Sequence, residues 1–139
     1  MNDTFTRSCK HWSETSRNEM ENFYTLASID YKHLAEGFEW KKWLEIHQIN
    51  VGKRRLKLLD IACGSGKFPS ALVRYSQLAD AKILPIEYAL LDPSNFSINE
   101  ARRALQFPFL ASSEFETTLQ EFNCDEGAYD IVWATHALY

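Results

Sequence analysis

The chain has 139 residues and a net charge of -4, enough for one domain with its own core and too acidic for a dedicated nucleic-acid binder. No apolar run is long enough to span a bilayer, and no secretory leader is visible, so no membrane partner is expected. Cys9, Cys63 and Cys124 are scattered and form no C-x-x-C pair, which predicts reduced thiols in a cytoplasmic protein and no metal site.

Residues 1–18 are rich in Ser, Thr, Asn and charge and read as a flexible N-terminus. Residues 19–50 read as a helical lid segment. Phe23, Leu26, Ala27, Tyr31, Leu34, Ala35 and Phe38 recur at steps of three and four, Gly37 is a candidate break, and Trp40, Trp43, Leu44 and His47 continue the pattern. The plain reading of these aromatics is that they dock helices on the domain. Asn50-Val51-Gly52 punctuates, and the basic run Lys53 to Lys57 reads as a solvated approach to a strand.

From 51 to 139 strand and helix patterns alternate, which predicts an α/β domain with a mostly parallel sheet and right-handed crossovers. Leu56 to Cys63 is the first strand, its near-continuous apolar run suiting a sheet covered on both faces. A helix follows, with Phe68, Ala71, Leu72, Tyr75 and Ala79 on one stripe and Pro69 in the first turn. Ile86 to Leu91 is the second strand, ending at Asp92-Pro93. Ser97 to Glu100 matches a capping box for the next helix, with Ser94 as the alternative start. Phe107 to Ala111 is the third strand despite Pro108, Thr117 to Phe122 a short helix, and Tyr129 to Ala134 the fourth strand.

The first strand runs into Gly64-Ser65-Gly66, which opens a helix. Glycine there lets backbone approach a ligand closely, and the helix N-terminus favours negative charge. A P-loop is disfavoured because Ile61 stands where its first glycine belongs and Phe68 follows Lys67. The dinucleotide fingerprint fails at Pro69, where its third glycine belongs. Asp92, at the second strand end, has the chemistry to accept hydrogen bonds from both hydroxyls of a ribose; the alternative is a solvated acid that caps the next helix.

Leu58 to Gly66, with an acid four positions before Gly64, resembles motif I (D-x-x-x-G-x-G) of the class I S-adenosylmethionine (SAM)-dependent methyltransferases. The resemblance covers roughly residues 20 to 139 and implies a Rossmann-like sheet, SAM as cofactor and methyl transfer to a small-molecule N, O or C nucleophile. It implies cofactor contacts at Asp60, Ala62, Cys63, Gly64, Ser65 and Gly66, with Asp60 near the methionine amino end; the alternative is that Asp60 only bonds the turn. It places Asp92 and Pro93 at the ribose, one of Ser113, Glu114 and Phe115 at the adenine, and Ala134 and Thr135 facing the cofactor. His136 then sits on the substrate side, as a candidate base or a plain surface group.

The Asp92-Pro93-Ser94 turn and the Ala-Leu-Tyr ending are similar to histamine N-methyltransferase and related enzymes, a likeness that makes Asp30 and His136 substrate contacts. The chain departs from the family in strand number. The family has seven strands ordered 3-2-1-4-5-7-6, and only the first four are found here. The expectation is an incomplete sheet, preceded by N-terminal helices, belonging to a truncated enzyme or pairing with another chain through Ile131, Val132 and Trp133. The competing function is a non-catalytic module that binds a protein through that edge and its aromatic helices.

Overall fold

The computed structural model describes residues 31–134; the helical pattern before Tyr31, and Asp30, Thr135 and His136, lie outside the described residues. Residues 31–36 are helical. The chain then bends at Gly37, whose N–H closes on the His33 carbonyl at 2.8 Å, where a Cβ would come within 2.9 Å of that oxygen. Helix α1 (Trp40–Val51) buries Leu44 and Gln48 and ends at Gly52, which has a φ of 78°. Strand β1 (Lys57–Ile61) leads to α2 (Lys67–Tyr75) and a 3-10 turn (Leu78–Asp80). Strand β2 (Ile86–Leu91), helix α3 (Asn95–Ala104), strand β3 (Phe109–Phe115) and the short strand β4 (Ile131–Trp133) follow.

The four strands form one parallel sheet in the order β3-β2-β1-β4. The chain steps outward from β1 to β3 and then returns to the other side of β1. With right-handed crossovers, α2 and α3 must lie on one face and the return to β4 on the other. The packing agrees. Leu58, Tyr88, Leu90, Phe109 and Ile131 share one core with Leu44 of α1, Phe68 and Leu72 of α2, and Ile98 and Ala101 of α3. On the opposite face Leu59, Ala89 and Leu91 pack with Phe122 and Tyr129 of the return segment. Such a reversal of strand order, here between β1 and β4, is where open α/β sheets bind ligands.

Several boundaries differ from the sequence reading. Helix α2 stops at Tyr75, so Leu78 of the 3-10 turn fills the core and Ala79 is exposed. The cap of α3 is Ser94, whose side chain accepts from the Ser97 N–H; Ser97 to Glu100 lies within the helix. Pro108 precedes β3, because a residue without N–H cannot join the ladder, although its carbonyl accepts from Ile86 at 2.7 Å. The strand instead runs on through Ser113, Glu114 and Phe115; the first two are polar, which an edge strand tolerates. Thr117 to Phe122 forms hydrogen-bonded turns rather than a helix, and the fourth strand is shorter than Tyr129 to Ala134.

Candidate functional site

The segment from β1 to α2 turns by left-handed backbone at Ala62 (φ 54°), Gly64 (φ 56°) and Gly66 (φ 78°). Gly66 is the first residue before α2, which has no side-chain cap. A Cβ on Gly66 would lie 3.1 Å from the Ala101 Cα, so this glycine serves the close approach of α3 as well as the turn. The loop is laced to the end of β2. Cys63 donates its N–H to the Leu91 carbonyl at 3.1 Å, and Gly64 donates to Asp92 Oδ2 at 3.2 Å. The other Asp92 oxygen, Oδ1, accepts from the Ser94 N–H at 2.8 Å. Each carboxylate oxygen keeps a further lone pair, so Asp92 retains acceptor capacity for two hydroxyls. Burial pushes its carboxyl up to about 6, against the two backbone hydrogen bonds that favour the charge.

Asp60 is fully buried near the C-terminal end of β1, paired in register with Leu90 of β2 and Trp133 of β4. The Tyr88 hydroxyl donates to its Oδ2, and the Trp133 indole N–H donates to the Tyr88 oxygen at 3.1 Å. Its other oxygen, Oδ1, is buried with no hydrogen-bond partner among the described residues. Burial pushes the Asp60 carboxyl up to about 7; Tyr88 and the nearby indole oppose that, and the Asp92 charge adds to it. Burial also raises the Cys63 thiol well above its usual range, so it is an unreactive packing group.

The fold therefore brings Asp60, Ala62, Cys63, Gly64, Ser65, Gly66, Asp92 and Pro93 to one end of the sheet. Phe115 joins them through its carbonyl, which accepts from the Asp92 N–H at 3.1 Å, while its ring packs on Phe122 on the other face. Ser113 and Glu114 are not loop residues beyond β3. Both are exposed on that edge strand, and Glu114 pairs with Arg102 at 3.1 Å. Ala134 is exposed directly after Trp133. Tyr88 and Trp133 belong to the site although sequence reasoning misses them. The available signal is a hydroxyl, an indole and a carboxylate in three apolar strands, each needing a partner. Among the described residues, no group of three or more His, Cys, Asp or Glu could hold a metal ion, and no helix is long and apolar enough to cross a membrane.

Solved structures share this fold. The plantazolicin methyltransferase BpumL in complex with SAH superposes with a TM-score of 0.53 at 16% identity, over 91% of this chain and 44% of that one. Its complex with a monoazolic desmethylPZN analog and SAH gives 0.51 at 18% identity, over 86% and 40%. The chain thus spans less than half the length of these neighbours. The fold is the Rossmann-like α/β fold of these methyltransferases. No protein-family model matches the chain, and no curated protein does either. The likeness to histamine N-methyltransferase gains no support from these neighbours.

Proposed function

We propose that the chain forms the cofactor-binding part of a SAM-dependent methyltransferase. The observation that carries this is the joint placement of a left-handed glycine turn, a buried acid at the end of β1 and a second acid laced to that turn from the end of β2. The neighbours of the same fold hold SAH, the product form of SAM. When bound, SAM supplies a methyl carbon on a sulfonium that departs readily. The residues here bind and orient. Asp92 receives the ribose hydroxyls, Gly64 and Gly66 let the turn lie against the ligand without a Cβ at either position, and the unpartnered Asp60 oxygen suits a cationic amino group. The acceptor is an N, O or C nucleophile, and positioning in a water-poor site carries most of the rate. The reading of a small-molecule acceptor rests on the sequence resemblance alone, since the neighbour's acceptor is a desmethylPZN analog.

The test is titration calorimetry with S-adenosylhomocysteine, with NAD as control. One saturable site is expected, with no heat from NAD. Asp92→Ala weakens binding by roughly a hundredfold or more, the loss of two hydrogen bonds to a charged group. A folded chain that binds neither SAM nor its product would overturn the reading. A module that binds a protein partner is the second reading, favoured by Val132 on edge strand β4 at 54% exposure and by Phe38 at 50%. Under that reading Asp92→Ala leaves partner capture unchanged.

A further inference from the structure

Asp60 stands in the middle of the sheet with no exposed surface, yet only one of its oxygens is engaged. A carboxylate kept purely for structure is expected to have both oxygens satisfied, since it accepts up to four hydrogen bonds. The engaged oxygen is held firmly. The Tyr88 ring packs edge-on to Phe109 at 5.1 Å and tilted against Trp133 at 6.1 Å, and its hydroxyl receives the Trp133 N–H. Trp133 is itself packed against Phe68 at 4.9 Å and Trp40 at 6.0 Å. The hydroxyl therefore has one orientation, its hydrogen toward Asp60 Oδ2 and its lone pair toward the indole.

We propose that Tyr88 is a positioning residue of the cofactor site. Anchored by Trp133, it fixes the Asp60 carboxylate so that Oδ1 is left for the cationic amino group of the bound cofactor. This rests on the SAM reading above. Among the described residues, the titratable groups around Asp60 are Tyr88 from β2, Asp92 after β2 and Cys63 in the glycine turn; β4 presents the Trp133 indole and α2 the Phe68 ring. None of these is a cation, and the ammonium group of the cofactor would supply Asp60 with a counter-charge. Removing the Tyr88 hydroxyl takes away a bond that favours the ionised carboxylate, and the pH at which Asp60 ionises moves upward.

The experiment compares two ligands in calorimetry, S-adenosylhomocysteine and 5′-methylthioadenosine, which keeps adenine and ribose but lacks the amino-acid end. At about pH 6.5, Tyr88→Phe is expected to weaken S-adenosylhomocysteine about tenfold and leave methylthioadenosine within about twofold. The acid limb of the S-adenosylhomocysteine affinity profile shifts to higher pH, whereas that of methylthioadenosine, set by Asp92, stays in place. Trp133→Phe gives the same selective loss, about threefold, because it acts one bond further away. Equal effects on both ligands, or none, overturn the proposal. If circular dichroism finds Tyr88→Phe unfolded, Trp133→Phe decides by the same criterion. A wild-type chain that binds neither ligand removes the SAM reading itself and this inference with it.

Discussion

Ala62 sits one residue past β1 with a φ of 54°, in a region that side chains with a Cβ rarely occupy. Left-handed backbone costs such a residue roughly 1–2 kcal/mol. Glycine avoids that cost but surrenders about 0.5–1 kcal/mol of extra unfolded-chain entropy. The balance predicts that Ala62→Gly stabilises the fold by about 0.5–1 kcal/mol. Urea unfolding would register this as a higher midpoint at an unchanged slope; a lower midpoint would mean that the Ala62 methyl contributes more by packing than its backbone loses by strain. Gly66 obeys a different logic. Its φ of 78° coincides with the Ala101 backbone 3.1 Å from where a Cβ would stand, so the turn and the helix contact both require glycine there.

At the scale of elements, β4 is the least supported. It is three residues long and pairs only with β1 among the described strands. A clamp precedes it. Asp130 receives both arms of the Arg54 guanidinium, at 2.7 and 2.8 Å, and the Lys57 N–H at 2.8 Å, which ties the starts of β1 and β4 together. Asp130→Ala is therefore expected to speed amide exchange about tenfold or more at Ile131–Trp133 while leaving β2 protected. Unchanged exchange in β4 would mean that the ladder alone holds the strand. From sequence, Asp130 reads only as a strand residue and the basic run only as solvated, because the two ends of the clamp are far apart along the chain. Strand β2 is legible to the residue, because its buried apolar run ends at an Asp-Pro break. The glycine turn and both acids are legible because their spacing is local. Strand β3 is misplaced from sequence, since Pro108 breaks its apolar start and its polar second half imitates a loop. Tyr88 and Trp133 stay hidden because their pairing with Asp60 depends on register between three strands, which no single segment encodes.

At the scale of the whole molecule, the reversal of direction between β1 and β4 gathers two acids at one end of the sheet, and their burial sets how stability responds to pH. The Asp60 carboxyl sits at about 7 and that of Asp92 at about 6, each raised chiefly by burial. In the unfolded chain both lie near 3.9. Between about pH 4 and pH 7 the folded state thus holds protons that the unfolded state has released, so stability falls as pH rises through this window. Below it both states are protonated, and above it the loss is complete. Asp130 works in the opposite direction, because Arg54 holds its carboxyl below the usual range; its contribution is lost only as pH drops below about 4, outside this window. The expected fall from about pH 5 to about pH 7.5 is a few kcal/mol, since each proton held by the folded state alone costs roughly 1.4 kcal/mol for every rise of one in pH. Asp60→Asn keeps an acceptor for Tyr88 but cannot ionise, so its urea midpoints should decline far less, with the remaining decline ending near pH 6 where Asp92 becomes charged. A wild-type profile flat over the same range would mean that Asp60 ionises as an ordinary solvated acid, and the interior site built around it by β2 and β4 would then be open to water.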